Sequence, residues 1–283
     1  MDISIRGLTE ADIAGAEDVL RSAFGAPGSH TADVRRYLAL QPDGWLAAIT
    51  PQGRLVGMVG AVDYGPFAWV GLMAVHAEAQ QRGIGSALLQ RLLTWLDGRG
   101  TPMVLLDATE AGAPLYRRFG FVEGDRTHRF QHPNYHRLAC LPAGVRLVQA
   151  EDVPALVEFD TPIFGANRAR VLRALLAEFP GRAFWVEDEG GQIAGYLFAQ
   201  TQRLGPWVAK RPQAAEVLLQ AALSLPYDGA PLVVVPAMNT AAVEQVERFG
   251  FQLAGPHRHM RRGGANSPSR RVAIYGQASF ALG

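Results

Sequence analysis

The chain repeats itself once, and the repeat limits the fold more than any other feature. Ile5-Arg6-Gly7-Leu8-Thr9-Glu10-Ala11-Asp12-Ile13 pairs with Val145-Arg146-Leu147-Val148-Gln149-Ala150-Glu151-Asp152-Val153 at an offset of 140. Arg54-Leu55-Val56-Gly57 pairs with Gln192-Ile193-Ala194-Gly195 at 138. Ala87-Leu88-Leu89-Gln90 pairs with Val217-Leu218-Leu219-Gln220, and Phe119-Gly120-Phe121 with Phe249-Gly250-Phe251, both at 130. Two copies are a duplication, since a solenoid needs three or more stacked units. The 283 residues suit two domains of ordinary size. The expected division is an N-terminal domain over 1–138, a linker over 139–144 around Leu141-Pro142-Ala143-Gly144, and a C-terminal domain over 145–283. Hydrophobic residues at 48% and charged residues at 19% are enough to build a core in each.

Within the first copy, Ile3–Ile5 reads as a strand. Thr9, with Asp12 three residues on, caps a helix to about Ala23, broken by Gly25-Ala26-Pro27-Gly28. A second helix covers Thr31–Leu40. Trp45–Ile49 and Leu55–Val62 form a hairpin about Pro51-Gln52-Gly53-Arg54. Past the Gly65-Pro66 break, Phe67–Val75 is an apolar strand. A helix to about Leu96 places Leu88, Leu89, Leu92, Leu93 and Leu96 on one side. Met103–Leu106 is a strand, Pro114–Phe119 a short helix, and a strand starts at Phe121. The order β-α-α-β-β-β-α-β-α-β predicts a mixed sheet with helices on its faces, an α/β (α+β) fold.

Between the strand ending at Val75 and the Leu-rich helix lies His76-Ala77-Glu78-Ala79-Gln80-Gln81-Arg82-Gly83-Ile84-Gly85-Ser86. Its glycines fall where the helix begins. Glycine lets backbone come close to a ligand, and the first helical turn has unpaired N–H groups at the positive end of its dipole. Such a place suits a diphosphate. A dinucleotide fingerprint would need a third glycine where Leu88 stands, and a P-loop would need a lysine the loop lacks. What remains is Gln-x-x-Gly-x-Gly: Gln80, Gly83, Gly85.

With its flanking Val-His-x-Glu and Ser-Ala-Leu-Leu, this stretch resembles the acetyl-CoA loop of the GNAT superfamily of N-acetyltransferases. The resemblance implies two tandem GNAT-like domains, each a mixed, mostly antiparallel sheet flanked by helices. It implies acetyl-CoA as acyl donor, contacted by Met73, Ala74 and Val75 of the strand, by Gln80, Gln81, Arg82, Gly83, Ile84, Gly85 and Ser86 of the loop, and by Thr109. In that family a backbone N–H of the strand before the loop holds the thioester carbonyl. The family's frequent general acid is a tyrosine in the helix before a Gly-Phe pair, and here Tyr116 stands there. A phenol is protonated at neutral pH and can give its proton to a leaving thiolate. The acceptor is then a primary amine of a small molecule or a protein. The competing reading is a non-catalytic acyl-CoA-binding or scaffold protein. A nicotinamide oxidoreductase stands third, lacking both the third glycine and a ribose-binding acid.

The second copy has lost these features. The offset falls by eight between Gly57 and Ala87, where the first copy carries its strand and loop. Sliding the helices into register sets Gly83 against Gln213, Gly85 against Ala215 and Tyr116 against Val246. Pro212, with no N–H, lies in the shortened segment. One catalytic site, in the first half, is expected. In the second half, Phe159–Arg168 reads as a helix-to-helix turn more readily than as an acceptor pocket. Gly205-Pro206-Trp207 and Val235-Pro236-Ala237-Met238-Asn239 resemble second halves of other tandem GNAT proteins.

The rest of the sequence narrows the field. A net charge of +1 gives no electrostatic case for nucleic acid. Apolar runs fall short of a membrane span, and the N-terminus lacks the basic start and apolar core of a signal peptide. Together with a single cysteine, Cys140, this makes a reducing cytoplasm the expected location. Cys140 reads as a small apolar filler. A homodimer is left open. His128, His132 and His136 are spaced like ligands, but Pro133 interrupts them, and no metal is expected. His76, Glu78 and Asp63 are weak candidates for a general base, and a water chain is as good.

Overall fold

In the computed structural model, residues 2–25, 29–264 and 268–283 are described. The expected break at Gly25-Ala26-Pro27-Gly28 therefore lies mostly outside them, although Gly25 ends its helix in a left-handed conformation, φ 59°. The first half runs β1 (Ser4–Gly7), α1 (Ile13–Phe24), α2 (Thr31–Leu40), β2 (Trp45–Ile49), β3 (Leu55–Asp63), β4 (Ala68–Val75), α3 (Ile84–Gly98), β5 (Val104–Ala108), α4 (Ala113–Arg118) and β6 (Val122–Gln131). The predicted order is reproduced. A 3-10 turn over Glu10–Asp12 precedes α1, and Asp12 accepts from the Thr9 N–H at 2.9 Å, as its spacing requires. Leu88, Leu89, Leu92, Leu93 and Leu96 of α3 are all buried, each worth about 1.5–3 kcal/mol of apolar transfer.

The second half repeats the order: β7 (Val145–Leu147), α5 (Val153–Phe164), α6 (Ala169–Glu178), β8 (Ala183–Glu187), β9 (Ile193–Ala199), β10 (Arg203–Ala209), α7 (Pro212–Leu223), β11 (Leu232–Pro236), α8 (Thr240–Arg248) and β12 (Gln252–Arg262). A further short strand, β13 (Ile274–Gly276), follows. The fold is α/β, a mostly antiparallel mixed sheet flanked by helices, present twice.

The two sheets are continuous, in the order β1-β2-β3-β4-β5-β12-β6-β11-β10-β9-β8-β7. The last strand of each half lies against the other half. β12 pairs β5 from Arg258↔Ala108 to Arg262↔Val104, and β6 pairs β11 from Leu232↔Gln131 to Pro236↔Thr127. β6 and β12 then pair with each other along most of their length. Along the chain β6 ends at Gln131 and β7 begins at Val145, while the sheet joins the two copies by exchanged strands. Beside the sheet, α2 meets α6: Arg36 reaches Glu178 with two bonds of 2.5 and 2.6 Å.

Two pairs of strands splay apart, one in each half. β4 and β5 are parallel neighbours only at Ala68↔Val104 and Trp69↔Leu105. A bulge in β4, with Leu72 left-handed at φ 51°, accompanies the departure. β10 and β11 likewise pair only at Arg203↔Leu232 and Leu204↔Val233. There β13 enters the opening, pairing Trp207↔Gly276 and Val208↔Ile274, with the Gln277 N–H on the Val234 carbonyl at 2.8 Å. Gly276 has to be small, since a Cβ would stand 3.0 Å from the Leu204 carbonyl oxygen and from Val233.

Candidate active site

Eight residues, His76 to Gly83, connect β4 to α3, and only Lys210 and Arg211 connect β10 to α7. The extra length builds a cradle. A 3-10 turn at Ala77–Ala79 is followed by Gln81 at φ 60° and Gly83 at φ 80°, so the backbone turns left-handed twice just before the helix. No amide from Gln81 to Ser86 has a partner among the described residues. Ala87 N–H is the first to bond back, to the Gly83 carbonyl at 3.0 Å. Nothing would meet a Cβ on Gly83, and one on Gly85 would meet only ordinary contacts at 3.5 and 3.8 Å. Neither glycine is required by its neighbours' bulk. Gly83 is required by its φ, while Gly85 leaves room at the helix start.

Side chains divide between scaffold and site. The Gln80 amide donates to the Val75 carbonyl at 3.1 Å, pinning the loop to the strand end. Thr109 Oγ accepts from the Gly112 N–H at 3.1 Å and opens α4. Arg82 is exposed at the cradle, and Arg118, at the end of α4, donates to Ser86 Oγ at 3.3 Å. Arg118 had no signal in the sequence, because only the packing of α4 beside the start of α3 brings it there. Ala74 is buried and Met73 and Val75 half-buried, on the splayed part of β4. Tyr116 is 7% exposed, its ring edge-on to Phe121. Burial alone raises its pKa, so the phenol stays protonated. The structure thus gathers Met73–Val75, the loop, Ser86 and α4 at one end of the V between β4 and β5. These residues fit a diphosphate-bearing thioester cofactor: bare amides and two guanidinium groups for the phosphates, unpaired strand edges for an extended arm.

The remaining candidates lie elsewhere or are engaged. Asp63 pairs across to Ala68, at the closed end of the V, and holds Arg99 and Thr101. His76 Nε2 lies 3.0 Å from Arg54, and Glu78 accepts from Arg54 at 3.1 Å. Cys140 is exposed, so it fills no apolar gap; the chain around it runs over the surface between β6 and β7. His128 stacks on Phe130, and His132 meets Phe251 and Tyr135 edge-on. Phe159–Arg168 is a helix end and turn, in which Arg168 makes a buried two-bond pair with Asp160, each bond 2.8 Å. A cavity of about 630 Å³ lies between α2 and α6, away from the cradle, its Arg36 already paired with Glu178 and Asp33.

Comparison with known proteins agrees with this geometry. Residues 14–121 match the profile described as "Acetyltransferase (GNAT) family", and residues 156–276 match "Acetyltransferase (GNAT) domain". A crystal structure assigned as an acetyltransferase from Pyrococcus horikoshii superposes with a TM-score of 0.87 at 30% identity, over 99% of this chain and 96% of that one. The chain belongs to the GNAT acetyltransferase family. An uncharacterized N-acetyltransferase of Bacillus subtilis (strain 168), YitH, is 24% identical over 204 residues, 70% of this chain and 71% of its own length. A tandem GNAT protein from the clavulanic acid biosynthesis pathway shares the fold, with a TM-score of 0.61 at 16% identity over 94% of this chain and all of that one. This is therefore a tandem GNAT enzyme, an acyl-CoA-dependent acyltransferase of a family that generally uses acetyl-CoA. Among the described residues no helix is long and apolar enough to cross a membrane.

Proposed function

We propose that the first half transfers an acetyl group from acetyl-CoA to a primary amine of a small molecule or a protein, and that the second half binds no acyl-CoA. The observation that carries this reading is the run of unpartnered amides from Gln81 to Ser86 beside the open V of β4 and β5. When bound, acetyl-CoA supplies the activated acyl group and a thiolate leaving group. Gly83, Ile84, Gly85 and Ser86 present backbone N–H groups to the diphosphate, with Arg82 and Arg118 beside them. The splayed edge of β4 at Met73–Val75 offers N–H groups to polarise a carbonyl. Tyr116, protonated and without a protein hydrogen bond among the described residues, donates to the leaving sulfur.

The second half departs from the first at the opening, the loop and the tyrosine. Its counterpart of the open V holds β13, α7 begins at Pro212 with almost no loop, and Val246 replaces the tyrosine in the buried core. Calorimetry with acetyl-CoA, followed by thiol release against a panel of amines, tests the proposal. One site with Tyr116-dependent release is expected. Two equal sites would refute the assignment of halves. Tight binding with release no faster than hydrolysis would make the protein a binding module.

A further inference from the structure

A buried acid–imidazole pair stands on the open part of the V, and its two members come from different halves. Asp107 of β5 lies two residues beyond Leu105, the last β5 residue paired to β4. Its cross-strand partner is His259 of the exchanged strand β12. The His259 Nδ1 is 3.0 Å from Asp107 Oδ1, which also accepts from Thr127 Oγ at 2.7 Å. The Asp107 side chain is fully buried, and its Oδ2 has no partner. An unsatisfied carboxylate oxygen in such a place is costly unless a ligand or water supplies a donor. The His259 ring lies 5.4 Å from the indole of Trp69, on the face of the sheet opposite α3. That face lies away from the start of α3, and the C-terminal residues Ala281 and Leu282 pack on it. The second half also supplies the neighbouring wall: Trp69 Nε1 donates to the Phe280 carbonyl at 3.1 Å, and Phe280 packs on His257 at 4.3 Å.

The charges around the pair set its protonation. Asp107 is held below the usual carboxylate range: burial works against this, but the His259 contact and the Arg271 charge outweigh it. His259 is held below the usual imidazole value, by burial first and by Arg271 second, against the pull of Asp107 and Asp125. At neutral pH the pair is therefore a carboxylate and a neutral imidazole. An ionised carboxylate only accepts, so the proton of His259 sits on Nδ1 and the lone pair is on Nε2. Nε2 has no protein partner among the described residues. The other half has the histidine without the acid. Val235 is the β11 residue two beyond Val233, the last one paired to β10, and its cross-strand partner is His128.

We infer that the Asp107–His259 pair is the general base of the first half, receiving the proton of the acceptor amine at His259 Nε2. This rests on the acyltransferase reading above and assigns the base that the sequence left open. The ammonium N–H bond breaks, its electron pair stays on the amine nitrogen, and a new N–H bond forms at Nε2. The imidazolium so formed is neutralised by the Asp107 carboxylate beside its Nδ1. A strand of the second half thereby completes the catalytic site of the first.

The test combines a pH profile, two variants and binding. In the wild type, kcat/KM should fall with acidity below the ordinary imidazole pKa of about 6.5, as Nε2 takes up a proton. His259→Gln should lower kcat/KM about 100-fold and flatten that limb, with acetyl-CoA affinity unchanged. Asp107→Asn should keep the shape, slow turnover about 10-fold and move the limb to lower pH, because no charge supports the imidazolium. Without acetyl-CoA, the ¹⁵N resonance of His259 Nε2 should shift when the panel's fastest amine is added. An unchanged limb and rate in Asp107→Asn, or in a folded His259→Gln that binds acetyl-CoA normally, would overturn the inference alone. A wild type that fails to bind acetyl-CoA in the same calorimeter would overturn the acyltransferase site and this inference with it.

Discussion

The two openings in the sheet began as one structure and now differ in what lies between their strands. In the first half β4 and β5 part after Trp69 and Leu105, and no strand enters between them among the described residues. In the second half β10 and β11 part after Leu204 and Val233, and β13 is hydrogen-bonded into the gap. The loop at the head of each opening differs in the same sense, eight residues against two. A gap in a sheet leaves backbone groups that must find partners. One half leaves them open, where we propose the cofactor binds, and the other satisfies them with its own chain. Binding and stability are alternative uses of the same break.

Four experiments can break or sharpen that contrast. The largest effect is expected at Gly83, where φ is 80°. Gly83→Val should weaken acetyl-CoA binding by at least about 100-fold in calorimetry, since a β-branched residue cannot hold that backbone. Gln213→Val, at the matching position of the second half, should leave it unchanged. Next, Tyr116→Phe should lower kcat about 100-fold at constant acetyl-CoA affinity, read by thiol release. Equal loss of affinity would recast Tyr116 as a packing residue.

Third, Gly276→Val should destabilise the protein by about 1–3 kcal/mol through overpacking against Leu204 and Val233, seen as a lower Tm. It should create no second acetyl-CoA site, because α7 still starts without a loop. The smallest effect concerns acid stability. Arg6 holds the Asp12 carboxyl down to about 2, through two hydrogen bonds of 2.7 and 2.8 Å. A depressed carboxylate contributes stability above its unfolded pKa, near 3.9, and loses it as pH falls toward 2. Arg6→Ala should therefore move the acid-unfolding midpoint up by a few tenths of a pH unit. Arg146→Ala should not do so through Asp152, because Arg146 bonds Glu187 instead.

Much of the candidate site was legible along the chain because its parts are contiguous. His76–Ser86 is a strand end, a loop and a helix start, and local rules connect glycine, left-handed backbone and unpaired amides. Tyr116 was legible through its neighbours, Phe119-Gly120-Phe121. Arg118 and the Asp107–His259 pair were not. His259 lies 152 positions from Asp107, and neither belongs to a spacing that signals chemistry. The structure sets Asp63 at the end of β3, opposite the first residue of β4, and leaves Cys140 exposed where the sequence reads it as an apolar filler.

By itself the sequence determined the elements, their order, the duplication and the half that keeps the cradle. Each of these follows from periodicity, turn residues or the length of one connection. Only the tertiary structure decided which strand lies beside which. β6 and β12 are copies of one strand, each following the same Phe-Gly-Phe turn, so either could pair with β5 by pattern alone. Strand pairing is a contact between distant segments, and side-chain alternation specifies a face and not a partner. Here the exchange brought a histidine of the second copy to an aspartate of the first.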